Sequence, residues 1–101
     1  MTRPPTNRRP TLPGDILLHE FLEPMGISQS ALAAAIGVSY QRLNGVIRGR
    51  RAMTPSTALR LARYFGTSPD VWLNLQLRAD LYEVEREERE ELEAIQPLAT
   101  A

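Results

Sequence analysis

The sequence contains no cysteine and no lysine, and histidine occurs once, at His19. Without cysteine the chain can form no disulfide, no thiolate metal site and no cysteine nucleophile. With a single histidine, a zinc site would need an unusual set of carboxylate ligands. We therefore predict neither a metal site nor a cofactor, and we expect His19 to lie on the surface of an amphipathic helix.

Long hydrophobic runs are also missing. The longest apolar run, "ALAAAIGV", is far too short to cross a bilayer, so we predict no membrane partner. The opening "MTRPPTNRRP" has charge and proline but no apolar segment, and from this we expect no signal peptide. With 101 residues, 43% of them hydrophobic, the chain has the size and composition of one ordinary globular domain.

Acidic residues are absent from the middle of the chain, although the whole chain is formally neutral. Residues 1–69 carry nine arginines and three acids, whereas residues 70–101 carry three arginines and nine acids. Between Pro24 and Pro69 there are six arginines and no acid. Arginine presents a planar fork of donors that suits phosphates and guanine edges. A codon bias could account for arginine in place of lysine, but it does not account for this segregation.

Proline, glycine and hydroxyl residues divide the chain into five predicted helices. The first begins at Pro13, and a capping Ser or Thr precedes each of the other four, at Ser28, Ser39, Thr54 and Ser68. We expect the first four helices to end at Pro24, Gly37, Gly49 and Gly66. No stretch alternates like a strand, so the predicted fold class is all-α. We predict a flexible basic, proline-rich arm over 1–12, a helix-turn-helix domain over 13–84 and an acidic helical extension and tail over 85–101.

The second and third helices are joined by Gly37-Val38-Ser39, the tight glycine-containing turn of a helix-turn-helix. In the third helix Leu43, Val46 and Ile47 form the apolar face, and polar residues occupy the rest. Glutamine and asparagine can bond adenine, and arginine can bond guanine. Gly45 in mid-helix requires a reason, either a close approach to a groove or a packing contact. The predicted DNA-contacting residues are Gln29, Ser39, Tyr40, Gln41, Arg42, Asn44, Arg48, Arg50 and Arg51, against the alternative of a merely solvated basic surface.

The fifth helix is more apolar than one helix face requires. Trp72 and Leu75 can complete the core of the monomer, which leaves Leu77, Leu81 and Val84 for a second copy of the chain. We therefore predict a homodimer. The carboxylates of "EVEREEREELEAI" lie on a solvated helix with no apolar pocket to shift their pKa values, so we predict that the protein is not an enzyme.

The segment "SQSALAAAIGVSYQRLNGVIRGRRAMTPSTALRLARYFGTSPDVWLNLQ" resembles the lambda-repressor-like (XRE) helix-turn-helix proteins, and its "FGTSP…WLNLQ" ending is more specific to the HigA (VapI-type) antitoxins. The resemblance spans about Leu12 to Val84. It implies a five-helix, homodimeric, cytoplasmic bacterial protein that neutralises an mRNA-cleaving, HigB-like toxin encoded beside it. It also implies binding to double-stranded operator DNA and repression of the shared operon. By position, Gln29 takes a phosphate-contact role, and Tyr40, Gln41, Arg42 and Asn44 take recognition-helix roles.

Two other functions remain open at this point. The protein could be a free-standing helix-turn-helix repressor with no toxin, which the neighbouring gene would reveal. It could also be a protein-interaction module whose arginine-rich face binds an acidic protein, which salt-dependent DNA binding would exclude. The resemblance assigns no role to the N-terminal arm or to the acidic tail.

Overall fold

The computed structural model describes residues 9–99 of the chain, and all regular structure within these residues is helical. The first helix, α1, comprises Pro13–Ile16, a π-helical stretch Leu17–Leu22 and a last turn Glu23–Met25. The helices that follow are α2 (Gln29–Ile36), α3 (Tyr40–Ile47), α4 (Pro55–Phe65), α5 (Pro69–Glu87) and the short α6 (Arg89–Glu93). The all-α fold class is therefore confirmed, and α1 to α5 are the five predicted helices.

The prediction that α1 ends at Pro24 is wrong, because the helix continues to Met25 and ends at Gly26, which has a φ of 64°. The turn before Pro24 is π-helical, and the Glu23 N–H donates to the carbonyl of Leu18, five residues back. In α-helical geometry a proline ring meets the carbonyl four residues back. The wider π-helical turn gives the ring room, so the proline does not stop the helix.

The hydroxyl residues predicted to cap helices all do so. Ser28, Ser39, Thr54 and Ser68 each accept a hydrogen bond from a backbone N–H in the first turn of the helix that follows. Each bond satisfies one of the donors that a helix start leaves free. These caps fix where α2 to α5 begin.

The core lies where α1 to α5 meet. Leu17, Leu32, Leu43, Leu61 and Trp72, one from each helix in turn, are fully buried in it. The ring of Phe21 lies 4.8 Å from that of Phe65 and 5.2 Å from that of Trp72, measured between centroids.

Trp72 and Leu75 join the core, as predicted. The Trp72 indole N–H donates to the Thr67 hydroxyl at 3.0 Å, which satisfies its one polar atom. Leu75 is half-buried and packs against the same cluster. The first half of α5 therefore belongs to the monomer core.

The second half of α5 projects beyond the core, and Glu88 separates it from α6. Residues 94–99 carry no regular structure and are exposed, and the structure measures 55 × 26 × 26 Å along its principal axes. Most of the predicted arm, residues 1–8, lies outside the described residues. Arg9, in the described part of that arm, pairs with Glu83 of α5 at 2.5 Å. No helix within residues 9–99 is long and apolar enough to span a membrane.

Gly14 allows α1 to approach α3 with backbone against backbone. A Cβ atom at Gly14 would lie 2.6 Å from the Ile47 carbonyl oxygen and 2.7 Å from the Ile47 Cα, and it would also meet the Val46 carbonyl oxygen. Backbone atoms cannot turn aside as a flexible side chain can. Any larger residue at this position would therefore push the two helices apart.

We expect Gly14→Ala to lower the free energy of unfolding by about 1–3 kcal/mol, the usual cost of overpacking a core. Gly45→Ala is the matched control, because the three atoms nearest to its added Cβ all belong to the flexible side chain of Arg51 and alanine is favoured over glycine in a helix by about 1 kcal/mol. Urea denaturation of both variants measures the difference. Equal stability of the two would contradict the close approach at Gly14.

Candidate nucleic-acid interface

Helices α2 and α3 are connected by the predicted tight turn. Gly37 has a φ of 74°, a left-handed conformation that glycine adopts without steric cost. The backbone N–H groups of Gly37 and Val38 both donate to the carbonyl of Ala33, at 2.9 and 3.0 Å. Ser39 then begins α3 by accepting from the Arg42 N–H at 3.1 Å. Short-range hydrogen bonds therefore define the helix-turn-helix geometry.

Arg60 of α4 supports this turn from the other side. Its Nη1 donates to the carbonyl of Ile36 at 2.7 Å and to that of Gly37 at 3.4 Å, and its Nε donates to the Ser56 hydroxyl. A guanidinium group at the C-terminus of α2 satisfies free carbonyls and also complements the helix dipole. Sequence reasoning missed this contact, because the two partners are 24 residues apart.

The first turn of α3 presents its polar side chains to solvent. Tyr40, Gln41 and Arg42 are exposed, Tyr40 by 46%. On the opposite face Leu43, Val46 and Ile47 are buried, as predicted. The helix therefore has one side in the core and one side free for a partner.

Asn44 differs from these neighbours because it is half-buried and bonded within the protein. Its Nδ2 donates to the Gln29 Oε1 at 2.9 Å, and its Oδ1 accepts from the Arg50 Nη2 at 3.2 Å. The three side chains thus connect the start of α2, the middle of α3 and the loop that follows α3.

The packing explanation for Gly45 is the one that the structure supports. A Cβ atom here would lie 2.8 Å from the Cδ and 2.9 Å from the Cγ of Arg51. The backbone N–H groups of Arg50 and Arg51 both donate to the carbonyl of Gly45, at 2.8 and 3.0 Å. The loop after α3 therefore folds back over Gly45, and the Arg51 stem lies across the helix there.

Gln76 of α5 holds the far end of this loop. Its Oε1 accepts from the Met53 N–H at 2.7 Å, and its Nε2 donates to Asp80 at 2.9 Å. Met53 itself is only 3% exposed, so the loop is secured by both a buried side chain and a hydrogen bond. The only sequence signal was an amide within an apolar helix, which did not indicate a partner 23 residues away.

The arginines of this surface have no acidic partner in the described part of the chain. Within residues 9–99 the ion pairs are Arg9–Glu83 and His19–Glu23, and neither involves Arg42, Arg48, Arg50 or Arg51. All four of these arginines are exposed. Their charge is therefore available to an anionic partner.

His19 lies outside this surface and is exposed, as predicted. Its Nδ1 is 2.9 Å from the Glu23 Oε1, and the hydrogen bond and charge of that carboxylate raise the pKa of His19 above 6.5. In the part of the chain that the structure describes, no group of three or more histidine, aspartate or glutamate side chains could hold a metal ion.

An apolar stripe remains exposed on α5. Leu77 and Leu81 are each 53% exposed and Val84 is 42% exposed, at the spacing of one helix face. Residues 9–99 leave this stripe uncovered, whereas they bury Trp72 and Ala79 of the same helix.

The fold and this surface define a helix-turn-helix protein, and the family model described as "Helix-turn-helix" matches residues 18–72. "Virulence-associated protein I" of Dichelobacter nodosus is 45% identical over 93% of this chain and 87% of its own length. "Antitoxin HigA-1" of Vibrio cholerae is 41% identical over 92% of this chain and 88% of its own. The solved structure of the Pseudomonas aeruginosa antitoxin HigA with the higBA promoter is 39% identical, with a TM-score of 0.85 over 90% of this chain and 100% of that one. The chain belongs to the HigA antitoxin group of the XRE-type helix-turn-helix family.

We expect Gln76→Ala to lower the free energy of unfolding by about 1–3 kcal/mol, because the Met53 N–H loses its acceptor in a part-buried position. The control is Asn74→Ala, an exposed amide on the same helix, for which we expect a change within about 0.5 kcal/mol. Thermal and urea unfolding measure both variants. If Gln76→Ala proves as harmless as the control, the loop is not held by this bond.

Proposed function

We propose that this protein is the antitoxin of a type II toxin–antitoxin module. It neutralises a HigB-like ribonuclease toxin, and it binds double-stranded operator DNA as a homodimer to repress its own operon. The observation that carries the DNA-binding part is the exposed first turn of α3 beside four arginines that have no acidic partner among residues 9–99. The toxin partner comes from the relatives named as antitoxins, one of which was solved with its promoter.

In this proposal, residues 13–84 form the DNA-binding domain and residues 85–101 form its acidic extension. Transcription is regulated where the DNA lies, so we place the protein in the cytoplasm. A family of DNA-binding regulators and antitoxins is not a class of enzymes, so we propose no catalytic role. A free-standing repressor and a protein-interaction module are the competing functions.

We propose that the exposed face of α3 reads bases and that its surroundings contact the DNA backbone. Tyr40, Gln41 and Arg42 lie in the first turn of α3, the part of a recognition helix that reaches base edges in a major groove. Ser39 and Arg48 lie at the two ends of α3, and Arg50 and Arg51 lie in the loop beyond it. Gln29 is the first residue of α2, where free N–H groups and the helix dipole favour a phosphate.

We propose that the apolar stripe of Leu77, Leu81 and Val84 forms the dimer interface. These side chains lie on one face of α5 and remain exposed in the monomer, so burying them against a second copy removes apolar surface from water. A two-fold dimer would also present two recognition helices to successive major grooves, about 34 Å apart.

Two measurements test the function as a whole. The protein should bind its own promoter region on an inverted repeat, and its affinity should fall steeply between about 50 and 200 mM salt, because each neutralised phosphate releases counterions. It should also rescue growth when it is co-expressed with the product of the adjacent gene, and the two proteins should be purified together. Promoter binding without rescue favours the free-standing repressor, and salt-insensitive or absent DNA binding favours the protein-interaction module.

We expect Leu81→Glu to weaken both the dimer and operator binding, because a charge buried in an apolar interface without a partner costs about 3–5 kcal/mol. Sedimentation should show a monomer that is still helical, since this side chain is already exposed in the monomer. Leu59→Glu is the control: this leucine is 59% exposed but lies on α4, outside the stripe. A Leu81→Glu variant that stays dimeric at low micromolar concentration would place the interface elsewhere.

The proposed base-reading and backbone-contacting arginines should respond differently to removal. We expect Arg42→Ala to cost about 1–3 kcal/mol on the operator and little on a scrambled duplex. Arg51→Ala should weaken binding to both duplexes by similar factors and reduce the salt slope by about one unit. Titrations of each variant on both duplexes at several salt concentrations measure these quantities. If the ratio of operator affinity to scrambled-duplex affinity is the same for the two variants, the assignment of Arg42 as a base reader is wrong.

A further inference from the structure

In the hydrogen bonds between Gln29, Asn44 and Arg50, the donors and acceptors can all be assigned from Arg50. Arginine is only a donor, so the Asn44 atom that faces Arg50 is its oxygen, and the Asn44 atom that faces Gln29 is its NH2 group. The Gln29 atom that accepts from this NH2 group must then be the carbonyl oxygen. The free end of the Gln29 amide is therefore its Nε2, a donor.

We propose that Asn44 is a positioning residue for the DNA backbone and not a reader of bases. It holds Gln29 and Arg50 so that each directs N–H donors toward a phosphate, one at the start of α2 and the other after α3. This inference rests on the proposed function, and it changes the role that we expected for Asn44 in the recognition helix. Gln29 and Arg50 keep the phosphate-contact roles proposed above, and Asn44 positions both of them.

The geometry of Asn44 opposes direct base reading. To bond adenine bidentately, an asparagine must direct its Nδ2 and Oδ1 together at one base. Here the two atoms bond two different protein side chains, at 2.9 and 3.2 Å. Reading a base would break both bonds in a half-buried position and would release Gln29 and Arg50.

The two side chains that Asn44 holds, Gln29 and Arg50, both have N–H donors that suit an anion. Among the described residues no group accepts from the Gln29 Nε2, and no carboxylate pairs with Arg50. Gln29 also begins α2, where the backbone N–H groups and the dipole favour negative charge. Glutamine and arginine are long, flexible side chains that lose much freedom when they are ordered. Asn44 orders both before DNA arrives, so less freedom is lost on binding.

A double-mutant cycle on DNA affinity tests this role. Asn44→Ala should weaken binding to the operator and to a scrambled duplex by the same factor, about tenfold, as expected when donors to charged groups are lost. Gln29→Ala should have a similar effect, and the double variant should be little weaker than either, because both changes disable one unit. Gln41→Ala is the matched control. Gln41 is an exposed glutamine on α3 that does not take part in these hydrogen bonds, so its effect should add to that of Asn44→Ala.

The salt dependence should separate Asn44 from Arg50. Asn44→Ala leaves the charge of Arg50 in place, so the salt slope should stay close to that of the wild type. Arg50→Ala removes a phosphate-contacting charge and should lower the slope by about one unit. A role in folding alone would appear as a loss of stability when the free variants are melted, and it would not produce the non-additive cycle with Gln29→Ala.

A spectroscopic measurement follows the orientation of Gln29 without DNA. In the wild type the Gln29 side-chain NH2 faces water, so its amide protons should exchange rapidly with solvent. In Asn44→Asp the carboxylate can only accept, so Gln29 should turn its NH2 inward and its protons should become protected. Unchanged exchange in this variant would overturn the deduced direction.

DNA binding by the wild type and by the variants distinguishes a failure of this inference from a failure of the proposed DNA-binding function. If the wild type binds the operator but Asn44→Ala loses affinity for the operator alone, Asn44 reads bases and the inference is wrong. Additive effects of Asn44→Ala and Gln29→Ala would overturn it as well. If the wild type binds neither duplex, the proposed DNA-binding function fails together with this inference. Equal losses on both duplexes with a non-additive cycle support it.

Discussion

Helix α3 has only eight residues, Tyr40–Ile47, and a helix this short is marginal in water unless something else stabilises it. Its stability comes from burying Leu43, Val46 and Ile47 in the core. The Ser39 cap fixes its first turn, and Gly14 sets how closely α1 approaches its last turn. The exposed polar residues therefore keep their positions only because the opposite face of the same helix is packed. Any change to that packing therefore also moves the exposed first turn of α3.

The charges of the chain are separated in space as well as in sequence. The four arginines around α3 lie on the helix-turn-helix, whereas most of the acids lie on α5 and α6. A neutral protein with such a separation has a large dipole, which orients it as it approaches a polyanion. The Arg9–Glu83 pair joins the two kinds of charge, but both side chains are exposed, so it contributes at most about 1 kcal/mol.

Features set by neighbouring residues were predictable from the sequence, and features set by distant contacts were not. The four capping hydroxyls depend on a few adjacent residues, and the buried apolar face of α3 repeats within one helix, so both were predicted correctly. Gly14 and Arg60 matter because of atoms in other helices, which no local pattern indicates. Pro24 misled because proline propensity describes an α-helical turn and not the wider π-helical turn found here. Asn44 was expected to contact DNA because no local pattern indicates its protein partners, which lie at the start of α2 and in the loop after α3.

Helix α5 connects the proposed dimer interface to the proposed DNA backbone contacts. Gln76 faces the body of the protein and holds Met53, at the end of the loop that carries Arg50 and Arg51. Leu77, the next residue, faces solvent at one end of the exposed stripe. Burial of Leu77 against a second copy would restrict α5 at this point, and the same restriction would reach the loop through Gln76. Dimer formation would then do more than set the spacing of the two α3 helices, because it would also restrict the arginines that we propose as phosphate contacts in each copy.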